Sequence, residues 1–379
     1  MFIAASSFAQ WVQQTSGTAF SLRSISFPDA NTGYAVGDSG IILKTTNGGT
    51  NWAAQTSGAN SYLLSVYFTD TNTGHIVGGI ASILKTTSGG TSWAAQPSPV
   101  GGSLASIYFT DADTGYTVGF EGAILKTIDG GTSWEGQMNG DNNTLYSVYF
   151  PDANTGYAVG DNGIILKTID GGTIWAMQSS GIYSRLTSVY FTDTNFGYAV
   201  GVGGIIIKTT DGGNNWASQI SGTGYSLQSV YFTDANKGYT VGDGGTILKT
   251  SNGGISWAVQ TSGTINRLWY VYFIDADTGY AVGDSGTILK TTNGGIGITE
   301  NQLPESAINI FPNPTNDNLT IETTEKATIE IINIAGQIIK TINTANKQTS
   351  INVTDLSSGV YIIKAKTEKG IAVKKFIKE

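Results

Sequence analysis

The chain has 379 residues, a formal net charge of −8, 51 glycines and no cysteine. That length allows more than one domain, and the missing cysteines exclude disulfides, thiolate metal sites and a cysteine nucleophile. With 20 basic against 28 acidic side chains, the phosphate-neutralising patch of a nucleic-acid binder is not expected, and no run approaches the roughly 18 apolar residues of a membrane-spanning helix.

The N-terminal MFIAASSFA is apolar and ends in small residues. Ser7-Phe8-Ala9 before Gln10 fits a signal-peptidase site, although the preceding basic region is missing, so residues 1–9 read as the remnant of a signal peptide. There is no lipobox cysteine for a lipid anchor. Beyond this point the tryptophans set a rhythm. Trp11, Trp52, Trp93, Trp134, Trp175, Trp216 and Trp257 are each 41 residues apart. Lysines from Lys44 to Lys290 and aspartates from Asp29 to Asp275 keep the same step. A fixed period near 40 marks a repeat architecture.

Each period holds four short apolar or β-branched runs divided by Gly, Asn, Asp and Ser clusters, and no window keeps a helical spacing. Four strands per period predict one blade of a β-propeller, and seven periods predict seven blades over residues 10–298. The seventh period should end in a tryptophan at 298, where Ile298 stands, while QWVQQTSG at 10–17 precedes the first unit without a match. The N-terminal strand is therefore expected to close the last blade, protecting the ring's open edges.

After a polar linker over 299–306, the 41-residue step is gone. Residues 307–379 hold alternating strands, as in Thr328-Ile-Glu-Ile-Ile-Asn-Ile334, and predict a small β-sandwich. The fold class is all-β throughout. Residues 1–298 carry 11 basic and 19 acidic side chains, and residues 299–379 carry nine of each, so the charge lies in the propeller. The tail resembles the C-terminal sorting domain of the Bacteroidetes type IX (Por) secretion system. The resemblance rests on FPNP at 311–314, Leu319, NIAGQII at 333–339, LSSGVYIIK at 356–364 and the basic ending KKFIKE. It implies the type IX machinery as a partner, passage through the outer membrane, and release or attachment at the surface of a Gram-negative cell.

The turn before each tryptophan, T-x-[DN]-G-G-x-x-W, resembles the Asp-box (BNR) motif. Asp129, Asp170 and Asp211 hold its acidic position, Asn47, Asn252 and Asn293 replace it, and Ser88 does so once. A catalytic acid or base does not survive exchange for Asn or Ser, whereas a turn-capping acceptor does. The turn is structural, and the seven tryptophans are expected to pack between sheets. The second recurring turn, Asp29-Ala-Asn-Thr-Gly33 and its copies, begins like a calcium loop but lacks the distant bidentate Glu. No metal or other cofactor is expected. Across residues 11–295 the repeats, typified by GYAVGDSGIILKTTNGGTNW, resemble the photosystem II stability and assembly factors. That resemblance implies a propeller fold and a protein-binding role; the arginine-rich surface of that family is not matched by a propeller with only three arginines.

Alternating strand direction puts both recurring turns on one face. The second-to-third-strand turns and the inter-blade linkers lie on the other, and sequence variation concentrates there. Arg23, Arg185 and Arg267, with Tyr183, Tyr225 and Trp269, are the candidate ligand-binding residues, placed near the mouth of the central channel. Three convergent arginines would suit a sialidase-like carboxylate clamp, yet no Arg-Ile-Pro signature is present and Glu121 and Glu135 are the only propeller glutamates. His75 replaces a repeat tyrosine on a strand and reads as a packing residue. The expected function is a non-enzymatic glycan- or protein-binding module. An Asp-box glycoside hydrolase, with Glu121, Asp141 and Asp161 as its carboxylates, and an assembly-factor-like scaffold are the alternatives.

Overall fold

A computed structural model describes residues 10–295, 308–323, 325–333, 337–344, 347–367 and 370–379. The expected signal peptide at 1–9 and the linker at 299–306 lie outside the described residues. The first unit contains seven four-stranded antiparallel sheets. In blade 1 they run Leu22–Ser26, Gly33–Gly37, Ile42–Thr45 and Ala53–Gln55, from the channel outward. Blade 7 takes its three inner strands from Leu268–Phe273, Gly279–Gly283 and Ile288–Thr291, and its outermost from Val12–Gln14. The register Val12↔Lys290 to Gln14↔Ile288 ties the two ends of the ring together.

Repeated side chains make the seams between blades. Tyr34 Oη and Lys44 Nζ donate to one carbonyl, Gly89 O of the next blade, at 2.7 and 2.6 Å. Across the closing seam Tyr280 and Lys290 do the same to Gly48 O, at 2.8 and 2.6 Å. The same bond made by Lys126, Lys167 and Lys208 accounts for most of the lysine series, whose amines hold the neighbouring Gly-Gly turn. Nearer the channel, Ser24 Oγ accepts the Val66 N–H of the next blade at 3.2 Å, and the bond recurs down to Ser229 with Val271.

Each indole packs edge-on against a phenylalanine, as Trp134 does against Phe109 at 6.0 Å. That phenylalanine stacks on the ring of the adjacent blade, as Phe150 does on Tyr116 at 4.0 Å. Trp11, Trp134 and Trp175 are buried and the other four are half-buried. The Nε1 atom of all seven is shielded from solvent.

One seam departs from the rest. His75 stands where six blades have the tyrosine, is fully buried, and neither ring nitrogen has a hydrogen-bond partner. Lys85 turns instead to Thr132 Oγ1. Burial, and then the Lys85 charge, push the imidazole down to about 3.

The second unit is a two-sheet sandwich. Strands Ile308–Phe311, Asn318–Thr323 and Gln348–Asn352 form one sheet, and the second orders Ile338–Asn343, Thr328–Asn333, Gly359–Thr367 and Gly370–Lys378. Leu319, Ile321, Ile329, Ile331, Ile363 and Phe376 are among its core residues. Alternation puts Glu330 on the other side of the second sheet, where Lys366 reaches it at 2.7 Å.

Candidate functional site at the channel mouth

The inner strands of all seven blades surround a cavity of about 600 Å³. Deep in it sits a girdle of tyrosines at one repeat position: Tyr67, Tyr108, Tyr149, Tyr190, Tyr231 and Tyr272, with neighbouring centroids 4.7–5.6 Å apart. Blade 1 has Ser26 there, and the adjacent blade 7 supplies an extra ring, Tyr270, where the other blades carry the seam serine. One position loses an aromatic and its neighbour gains one. Burial raises every one of these phenols above its ordinary value, so the girdle stays neutral.

Closer to the loops, the position three residues before the girdle changes in every blade: Arg23, Leu64, Ala105, Tyr146, Thr187, Gln228 and Trp269. Arg23 grips Asp38 through two bonds, of 2.8 and 2.9 Å. Arg267 lies 2.6 Å from Asp243, which also accepts from Gln228 at 3.1 Å. Arg185 reaches Asp161 at 2.8 Å and lies 4.6 Å over the Tyr146 ring. Two guanidinium groups stack on Trp269, Arg23 at 4.2 Å and Arg267 at 4.7 Å from its centroid, while its Nε1 donates to Asp284 at 2.7 Å. Bidentate Arg–carboxylate pairs and cation–π stacking both favour a fixed orientation.

Arg23, Arg185 and Trp269 line the cavity; Arg267 does not, and reaches this region only by packing on Trp269. Tyr183 and Tyr225 do not line this cavity; Tyr183 is 93% exposed and Tyr225 borders a separate groove. The arginines form no empty clamp, because each is engaged by an aspartate. Of those aspartates only Asp161 was singled out from the sequence, and as a hydrolase carboxylate rather than an arginine partner; Asp38, Asp243, Tyr146 and Gln228 were not. A signal was present: Asp38, Asp161, Asp243 and Asp284 share one repeat position, 15 residues beyond the variable one.

Of the carboxylates a hydrolase would use, Glu121 is exposed in a left-handed turn at φ 55°. Asp141 accepts the Asn143 N–H, and Asp161 is held by Arg185. On the opposite face the turn aspartates cap their own loops. Asp170 Oδ1 accepts from the Thr168 hydroxyl at 2.8 Å and the Ile174 N–H at 3.0 Å. Asn252 Oδ1 accepts from Thr250 and Ser256 in the same way, both at 3.0 Å. Asp29 Oδ1 accepts the Asn31 and Thr32 N–H groups, both at 2.8 Å. Among the described residues no group of three or more His, Asp or Glu is placed to hold a metal, and no helix is long and apolar enough to cross a membrane.

Comparison with known proteins agrees with this architecture. Residues 3–98 and 137–222 match the family described as photosynthesis system II assembly factor YCF48, and residues 309–379 match the secretion system C-terminal sorting domain. None of the curated proteins matches the chain. Among solved structures, YCF48 bound to D1 peptide is similar with a TM-score of 0.66 at 23% identity, covering 77% of this chain and 97% of that one. YCF48 from Cyanidioschyzon merolae gives 0.65 at 22%, covering 74% and 98%. An ancestral GH74 enzyme gives 0.61 at 14%, covering 98% of this chain and 64% of that one. These likenesses concern the fold.

Proposed function

Since the repeats are similar to the YCF48 assembly factors and the tail matches a secretion sorting domain, we propose that the chain is a binding protein exported by the type IX system. It acts at the cell surface or after release, and it holds an extended peptide segment at the channel mouth. The observation that carries the binding role is the mouth itself, where the sevenfold pattern gives way to three arginines stacked on aromatic rings and braced by aspartates. Rigid scaffolds place function in such irregular loops.

A peptide suits this chemistry better than a sugar. Two guanidinium groups already stack on Trp269, so the ring is occupied before a sugar could use it. Arg185 bonds Asp161 through Nε, and its two terminal nitrogens have no partner among the described residues. Its side chain is 47% exposed. A planar fork of this kind is made for a carboxylate or a backbone carbonyl. The relative bound to D1 peptide is consistent with a peptide ligand for this fold, and its photosynthetic partner is not carried over. A hydrolase finds less support, since three of the four mouth aspartates are engaged by arginines and likeness to a GH74 enzyme at 14% identity speaks only to fold.

The test is an array of 15-residue peptides with free C-termini, probed with the full chain. Peptides retained should lose at least tenfold in affinity, or about 1.4 kcal/mol, in Arg185→Ala and Arg267→Ala. Retention untouched by both substitutions, or turnover of any glycan in a broad panel, would sink the reading. The export reading has its own assay. Deleting residues 309–379 should leave the protein in the periplasm, and normal appearance outside the cell would refute the assignment.

A further inference from the structure

A second recess lies outside the channel, on the linker face of blades 5 and 6. Two open grooves, of about 430 and 790 Å³, share Gly222 and Thr223 and so form one continuous trough. None of the side chains lining it carries a charge, in a propeller whose other recess is ringed by ion pairs. Its walls mix hydroxyls, amides and glycine backbone with exposed aliphatic side chains, Ile220, Val259 and Ile265, and Tyr225 lines the larger groove.

Two turns that line the trough carry no side chain. Blades 1, 4 and 7 carry Ser39, Asn162 and Ser285 in a left-handed conformation, with φ of 57°, 55° and 56°. Blades 5 and 6 carry Gly203 and Gly244 at that position, with φ of 75° and 64°. A Cβ on Gly244 would stand 3.2–3.5 Å from three atoms of the Tyr225 ring. The phenol end of the ring therefore rests over that glycine, yet the residue is 58% exposed. The ring is thus held against backbone and remains open to solvent.

We propose that this trough binds a neutral oligosaccharide, with Tyr225 as the stacking platform. An amphipathic ring open to solvent suits the apolar side of a sugar, and a few polar groups in a shallow recess supply orientation. The absence of charge excludes a polyanion or a basic segment held by ion pairs. The trough spans two blades, which suits a chain of several sugars rather than a single residue. This site is independent of the peptide site at the mouth.

The full-length chain is titrated calorimetrically with cellohexaose, maltohexaose, xylohexaose and laminarihexaose, and with hexagalacturonate as the charged control. At least one neutral hexasaccharide should bind, and hexagalacturonate should bind at least tenfold more weakly. The neutral affinity should be the same at low and high salt. Tyr225→Ala should weaken it at least tenfold. Gly244→Ser, which installs the side chain that blades 1 and 7 already tolerate, should weaken it several-fold while leaving the thermal melt in place. The proposal is overturned if none of the four neutral sugars binds, if binding survives Tyr225→Ala, or if affinity falls with added salt. Arg185→Ala separates the two sites, because sugar binding that falls with it belongs to the channel mouth and not to the trough. An edge-adding peptide, the rival occupant of such a groove, would show as a trough that takes peptides from the array but no sugar, and would equally refute the assignment.

Discussion

The two faces of the propeller are made by the same seven repeats and obey different rules. On the face of the recurring turns, each copy repeats the bonds of the last. Asp29 and Asp275 cap their loops through the same pair of N–H groups, and Asp170 and Asn252 accept from equivalent partners. On the linker face, one variable position holds arginine, leucine, alanine, tyrosine, threonine, glutamine and tryptophan in turn. Where nearly every copy makes the same bonds the side chains repeat, whereas on the linker face, where ion pairs such as Arg185–Asp161 and Arg267–Asp243 join neighbouring blades at only some seams, the side chains vary and a ligand site has room to form.

The largest expected effect tests the bracing. Trp134→Ala removes a ring that packs on Phe109 and is only 5% exposed, and should cost about 3–5 kcal/mol in a denaturant melt. A loss below about 1 kcal/mol, the scale of a surface change, would mean that the indoles do not hold the blades. Tyr157→Phe is the next step down. It deletes the hydroxyl bond to Gly212 O at 2.8 Å and leaves Lys167 on the same carbonyl at 2.6 Å, for an expected loss of about 0.5–1.5 kcal/mol.

His75 lets the same comparison be made by pH. Its buried imidazole is held down to about 3 from an ordinary 6.5, so the fold prefers the neutral form. The unfolded chain takes up that proton first, and stability is intact above pH 6.5 and falls as the pH drops toward 3. Turn aspartates such as Asp70, lowered first by the Asn72 N–H and opposed by burial, add a later loss below their ordinary value of 3.8. Urea midpoints between pH 8 and 4.5 should decline in the natural protein and stay nearly flat in His75→Tyr, and parallel curves would refute the assignment. The smallest effect is Asp170→Asn. Asn already serves at 47, 252 and 293, so the midpoint should move by less than about 0.5 kcal/mol; a larger drop would show that the charge matters to the turn.

Much of the fold was legible because a period is a statement about equivalence. A 41-residue step in tryptophan says that seven segments do the same thing, and the absence of a tryptophan at Ile298, with a spare one at Trp11, says where the ring closes. The structure bears this out in the register Val12↔Lys290. The candidate site was legible only in part. Arg23, Arg185, Arg267 and Trp269 stood out because they break the repeat, but Asp38 and Asp243 looked like ordinary turn residues and Asp161 like a hydrolase carboxylate, while Tyr183, Tyr225 and Arg267 looked equivalent to Trp269 although they do not line the cavity.

The sequence alone determined the four strands per blade, the blade count, the closure and the sorting tail, since each is a local pattern repeated or matched along the chain. Only the tertiary structure decided which side chains meet. Ring closure brings Ser26 beside the blade of Tyr270, far off in the chain, and lays Arg23 on Trp269. It also settles that each arginine is spoken for by a carboxylate and that the Tyr225 ring rests on Gly244. Those facts depend on side-chain reach across a curved seam, and no one-dimensional spacing records that distance.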